Sequence, residues 1–255
     1  MRRVLIFVVM FALLALTDCA EPQNTAVNQV EDLQTEDLKG TPKDIEKLIS
    51  NLNDFFEKLD EPTPDEWLAK NDESGQTFSE FINGNPTLPT EERKIIYIQP
   101  IGKFTGKKRR IIKQTAKFLG VFYSMQTKLL KTQQFENPLS LSNRRTNPIS
   151  KTNQIRTGYI LDELLKPNLP EDAAALISFT SEDLYPNKNY NYVFGQASLK
   201  NRVGVWSLNR LKRNADTKLF LKRTLKIAIH ETGHMFSFQH CTKFSCAMNG
   251  TNHIV

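Results

Sequence analysis

Three of the chain's four histidines fall within one short stretch, His230-Glu231-Thr232-Gly233-His234-Met235-Phe236-Ser237-Phe238-Gln239-His240-Cys241. His230 and His234 are four apart, so on a helix they share one face and can grip one ion. Glu231 stands beside the first and can reach a water on such an ion without ligating it. His240 is six residues beyond His234. A continuing helix would turn it by about 600°, roughly 240° out of line with His234, so the chain must break if a third imidazole is to reach the same ion. A catalytic zinc takes three protein ligands and keeps one position open. The residue types and spacing therefore point to metal-assisted hydrolysis, with a histidine-rich buried helix as the plain alternative.

The elements that must hold these residues are legible in outline. Residues 216 to 236 contain no proline, and Leu219, Leu221, Leu225, Ile227, Ala228 and Ile229 suit a buried helix. Ile95 to Ile101 is a nearly continuous apolar run, as expected of a buried strand. A basic amphipathic helix comes next, with Ile111, Ile112, Ala116 and Leu119 inward; Gly120 is expected to break it, ahead of a second, parallel strand within residues 121–130. Asp162 to Leu165 belongs to another helix, stopped before Pro167. Ala174 to Phe179 reads as a third strand. Val193 to Leu199 and Val203 to Leu208 read as antiparallel neighbours. No segment repeats at solenoid spacing. The fold class is α/β (α+β): a twisted mixed sheet with flanking helices and a helix carrying the histidines.

The first residues need separate treatment. Arg2 and Arg3 precede an uncharged apolar run of 13 residues, Val4 to Leu16. That is the length and polarity of a secretory signal and short for a membrane span. Leu16-Thr17-Asp18-Cys19 resembles a bacterial lipoprotein box, from which Asp18 departs. Two readings stay open: acylation of Cys19, giving a membrane-anchored envelope protein on the periplasmic or outer surface, or export as a plain secreted protein. Residues 1–19 are thus read as the signal, 20–61 as an acidic tether and amphipathic helix, and 62–255 as the main domain. The helix is expected to open at Thr41-Pro42, to bury Ile45, Leu48, Ile49, Leu52, Phe55, Phe56 and Leu59, and to end at Pro62. Residues 20–74 hold 15 acidic and 5 basic side chains, whereas residues 76–255 hold 12 acidic and 27 basic. The run Lys107-Lys108-Arg109-Arg110 has no aromatic interleaving, so it reads as a solvated helix start rather than a nucleic-acid surface. A monomer is expected.

The residues beyond His240 are more specific. Thr242-Lys243-Phe244-Ser245-Cys246-Ala247-Met248-Asn249-Gly250 sets Cys-x4-Cys-x-Met directly behind the third histidine, and the whole resembles the archaemetzincins (archaelysins) of the metzincin clan. Asn191 to Leu199, Arg202 to Ser207, Ser181 to Pro186 and Tyr97 to Gly102 are similar to the same family's strands. Glu66-Trp67-Leu68 and Gly75-Gln76-Thr77-Phe78 fit the lead-in of its eukaryote-like members. The likeness spans roughly Pro62 to His253.

The resemblance implies a metzincin-like architecture with a short C-terminal subdomain, and a zinc metallopeptidase acting on peptide or protein substrates. His230, His234 and His240 would hold one catalytic Zn2+. Glu231 would be the general base, taking a proton from the zinc-activated water. Met248 would form the apolar turn beneath the metal. Val193, Phe194, Gly195, Gln196 and Ala197 would form the edge strand along which a peptide lies. Two departures stand out. Ser237 sits where the family's reversal uses glycine, at a cost on the order of 1 kcal/mol. The family's second zinc site adds a later Cys-x-x-Cys to Cys241 and Cys246, and these 255 residues lack that pair. A half-complete second zinc site, a Cys241–Cys246 disulfide and two free thiols stay open, with His253 as a possible extra ligand. The alternative function is a catalytically weak or inactive zinc- or peptide-binding lipoprotein.

Overall fold

The computed structural model describes residues 53–252 except 137, together with Lys47 and Asn51 and without the side chain of Asp54. The signal stretch with Cys19, the tether, most of the helix expected from Thr41, and His253 lie outside the described residues. The described residues divide into two units, those up to 86 with 239–252 and residues 87–238.

In the first unit, Lys47 and Asn51 are helical and a 3-10 turn covers Asn53–Phe55. The helix expected to run to Pro62 does not. From Phe56 the chain is drawn out by pairing with a distant segment: Lys58 bridges Phe244 antiparallel. The Leu59 amide donates to Lys243 O at 3.0 Å, and the Ser245 amide to Glu57 O at 2.8 Å. Phe56 packs on Phe244 with ring centroids 5.6 Å apart. Two short helices come next, α1 (Trp67–Lys70) and α2 (Phe78–Asn83). A capping box starts α2: the Thr77 hydroxyl accepts from the Glu80 amide, and the Glu80 carboxylate accepts from the Thr77 amide. The 239–252 stretch is wound about Asn249, whose side-chain amide donates to Cys241 O and Phe244 O, each at 2.8 Å, while its carbonyl accepts from the Cys246 amide at 2.7 Å.

The second unit is built on strands whose order the apolar runs anticipate. β1 (Ile95–Ile101), β2 (Gln126–Leu129), β5 (Ala173–Thr180), β7 (Gly195–Ala197) and β8 (Val203–Ser207) form a five-stranded sheet in the order β2-β1-β5-β8-β7. All neighbours are parallel except β7, which pairs antiparallel with β8 at the edge. A smaller sheet joins β3 (Arg144–Thr146), β4 (Asn153–Arg156) and β6 (Asp183–Tyr185). Every residue of β5 and β8 is buried, as parallel strands covered on both faces must be.

Helix α3 (Gly106–Phe122) buries Ile111, Ile112, Ala116 and Leu119. The break expected at Gly120 is absent. A Cβ at that glycine would stand 3.1 Å from Met125 O and 3.3 Å from Thr127, so Gly120 lets the returning chain approach the helix instead of ending it. Tyr159–Leu165 is a π-helix, closed by a 3-10 turn at Lys166–Asn168. The short α4 (Leu208–Leu211) leads to α5 (Thr217–Met235), capped by the Asp216 carboxylate accepting from the Leu219 amide at 2.7 Å. Its Phe220, Ile227, Ala228, Ile229 and Met235 face the core. The buried Tyr123 hydroxyl, just past α3, donates to Ile229 O at 3.0 Å and fixes the two helices together. Among the described residues no helix is long and apolar enough to cross a membrane.

Candidate metal centre

Helix α5 delivers two imidazoles to one face. His230 and His234 stand edge to face with centroids 4.6 Å apart and Nε2 atoms 3.0 Å apart. His234 Nδ1 donates to Phe238 O at 2.7 Å, which puts the ring's lone pair on Nε2, the nitrogen turned toward His230. The helix is capped by Phe236, and Ser237 takes the left-handed backbone with φ 71°. The Phe238 amide turns back to Gly233 O at 3.1 Å. Serine is not neutral here. Its hydroxyl donates to Leu199 O at 3.1 Å and accepts from the Thr87 amide at 2.9 Å, two bonds a glycine could not make.

Residues 230–240 are one uninterrupted stretch, and along it His230, His234 and His240 each offer a ring nitrogen, all within 4.8 Å of one another. His240 Nδ1 donates to Glu73, whose oxygens lie 2.8 and 3.0 Å away, and its ring stands edge-on to Trp67 at 5.5 Å. Two of the three rings thus have Nδ1 committed to an oxygen acceptor, the arrangement that fixes an imidazole for metal ligation. Three imidazoles, two of them oriented in this way, fit a divalent transition metal of the zinc type.

Glu231, the residue between, is 7 % exposed, and burial lifts its carboxyl to about 8. Its side chain lies across β7. A Cβ added at Gly195 would stand 2.8 Å from Glu231 Oε1 and 3.0 Å from its Cδ and Cγ. Gly195 is therefore the place where the strand makes room for the carboxylate. Gly195→Ala is expected to displace it and to lower peptide hydrolysis by about 10²-fold, the scale of an ångström-sized misplacement, with metal content unchanged. Steady-state kinetics beside elemental analysis check this, and unchanged turnover would sink the positioning argument.

The profile of peptidase family M54 matches residues 147–255. Over 268 aligned residues the chain is 31% identical to archaemetzincin-2 of Rattus norvegicus, covering 89% of this chain and 71% of that protein. The chain belongs to the archaemetzincin family. It is accordingly a zinc metallopeptidase, a hydrolase. The archaemetzincin of Thermococcus kodakarensis (strain ATCC BAA-918 / JCM 12380 / KOD1) is 32% identical over 167 residues, 63% of this chain and 86% of that one. The crystal structure of archaemetzincin from Methanopyrus kandleri shares the fold, with a TM-score of 0.50 at 24% identity over 65% of this chain and 85% of that chain.

Other residues expected to matter in an archaemetzincin each have a defined place. The segment from Val193 to Ala197 is strand only from Gly195. Val193 instead bridges Leu184, while Phe194 O accepts from the Ser207 amide at 2.8 Å. The Gln196 side chain accepts a short hydrogen bond from the Thr157 hydroxyl. Cys241 and Cys246 are free thiols joined by a side-chain hydrogen bond, which draws the Cys241 thiol down to about 6 and pushes that of Cys246 upward, burial adding to the rise. Met248 is buried, its carbonyl accepting from the Cys241 amide at 2.9 Å and its amide donating to Cys246 Sγ at 3.3 Å. Sequence reasoning missed Glu73, which lies 167 positions before His240. Only the neighbouring Gly75-Gln76-Thr77-Phe78 resemblance tied this region to the family at all.

Proposed function

We propose that this archaemetzincin hydrolyses peptide bonds with one zinc ion held by His230, His234 and His240 and with Glu231 as general base. The reading is carried by one observation: three imidazole nitrogens converge within 4.8 Å, and a buried carboxylate sits one residue from the first. Bound there, zinc supplies a Lewis acid that polarises a carbonyl and makes water acidic enough to react near neutral pH. The rest belongs to the chain. Glu231 takes the proton of the attacking water and returns it to the leaving amine. Its burial excludes bulk solvent, and a dication held by the three histidines would offset the desolvation that otherwise keeps it protonated. Gly195 fixes where the carboxylate lies. The outer edge of β7 leaves backbone groups available for an extended peptide, the strand-addition mode of binding. Glu73 and Phe238 O hold their histidines by the second ring nitrogen, as supports of a metal site do. Peptide hydrolysis is expected to vanish with a strong chelator and return with zinc. Chelator-resistant cleavage would remove the metal from the mechanism.

We also propose that the protein is exported and anchored through an acylated Cys19. Arg2 and Arg3 ahead of the apolar run, with Leu16 three places before the cysteine, support this. Cys19→Ala is expected to move the protein from the membrane fraction to the soluble one, and a variant still sedimenting with membranes would end the proposal.

A further inference from the structure

Outside the histidine stretch, the second unit holds a recess of about 210 Å³ lined by Tyr192, Phe194, Arg210, Arg213, Asn214 and Arg223. Three guanidinium groups share this small space, and their partners do not balance them. Arg210 is buried and forks onto Asp183, its Nε at 2.7 Å from one oxygen and its Nη2 at 2.6 Å from the other, while its guanidinium carbon lies 3.6 Å from the Tyr192 ring centre. Asp183 is thereby spent. Arg223 uses Nη1 on Arg213 O at 2.8 Å and Leu211 O at 3.5 Å, and its Nε is enclosed with no acceptor among the described residues. A buried donor left in that state is costly, and an incoming acceptor relieves it. Arg213 is exposed at the mouth beside Asn214, whose backbone is left-handed at φ 48°. Tyr192 and Phe194 pack edge to face at 5.4 Å, giving the recess an apolar wall.

This combination of planar donors in excess of acids with an aromatic wall is what a carboxylate on a short methylene stem requires. The recess is also adjacent to the chemistry in sequence. Phe194 directly precedes Gly195, the residue against which Glu231 lies. β7 starts at Gly195 and Val193 turns to bridge Leu184, so a side chain reaching the recess belongs to a peptide residue that extends past the Gly195 end of the strand.

We infer that the Tyr192–Arg210–Arg213–Arg223 recess is a specificity subsite for an acidic side chain of the peptide substrate. The inference rests on the peptidase reading, so its test has one arm that needs no turnover. In that arm, calorimetry on the full chain measures N-acetyl-glutamate amide, N-acetyl-glutamine amide and inorganic phosphate. Saturable binding of the glutamate compound is expected, weakened about 10-fold or more in Arg213→Glu, with little binding of the glutamine compound. In the second arm, peptides carrying either Glu or Gln at each position flanking the cleaved bond are compared by kcat/KM. The Glu/Gln ratio is expected to exceed one at a single position and to fall to one or below in Arg213→Glu. Equal binding of the two amides, indifference to the Arg213 change, or phosphate binding tighter than glutamate would each overturn the acidic-side-chain assignment. Binding as expected with no peptide cleaved by any preparation would overturn its role as a substrate subsite and place the failure in the peptidase reading, the recess remaining an anion site.

Discussion

Glu231→Gln is expected to lower peptide hydrolysis by about 10²- to 10⁴-fold, the usual contribution of a positioned acid–base group. Glutamine keeps the shape that fits over Gly195 but can neither accept the water's proton nor deliver one. Metal content should stay at the wild-type level, since Glu231 is not among the three nitrogens that converge. Stability gives a second readout whose sign is set by burial. In the metal-free protein the Glu231 carboxyl is held at about 8, against an ordinary value of 4.5. The folded state therefore binds the proton more tightly than the unfolded one. The resulting stabilisation is complete below pH 4.5 and is lost as the pH climbs towards about 8. Glutamine has no proton to lose, so the variant's metal-free melting temperature should vary less over that window. Full activity in the variant would remove Glu231 from the mechanism whatever the melting curves show.

His234→Ala is expected to reduce bound metal from about one ion per chain to near zero by elemental analysis, because a catalytic site keeps only three protein ligands. Activity should disappear with it. The melting temperature should also stop responding to added zinc, since an ion that binds only the folded state stabilises it by about 2.7 kcal/mol at a hundred times its dissociation constant. His234 additionally holds Phe238 O through Nδ1, so alanine frees the turn as well as the ion. His230→Ala separates the two effects. It removes an equivalent ligand while leaving the His234–Phe238 bond in place, and the same metal loss in both variants assigns the effect to ligation. Retention of a stoichiometric ion by both would end the histidine assignment.

How far the sequence carried depended on whether the deciding contacts were local. The β1 run, the parallel strand-helix-strand unit and the antiparallel β7–β8 pair were legible because continuous apolar runs and short connections determine them. Helix α5 was legible almost to the residue, since the Asp216 cap and the absence of proline are local facts. That the chain must turn between His234 and His240 came from helical geometry, given that a third ligand was wanted, and its place at Ser237 from the family resemblance. Where distant chain intervened, pattern reading failed. Phe56 and Leu59 have helical spacing, yet pairing with Lys243 to Ser245 draws them into extended chain. Gly120 looked like a stop and is a point of close approach. The strand expected over seven residues from Val193 is three residues long, because Val193 belongs to a bridge with the other sheet. Glu73 left no trace near His240, as a hydrogen bond between groups 167 positions apart has no periodicity to reveal it.

The hydroxyl of Ser237 has a mechanical consequence. By clasping the carbonyl of Leu199 and the amide of Thr87 at once, it works as a buckle between the end of the histidine helix and the hairpin whose first strand is the proposed substrate rim. A glycine at this point would let the turn flex by itself. With serine in place, a peptide bound in the proposed strand-addition mode would pull, through the hairpin, on the backbone immediately after His234, so the rim and the aim of that imidazole would be geared to each other through a single side chain.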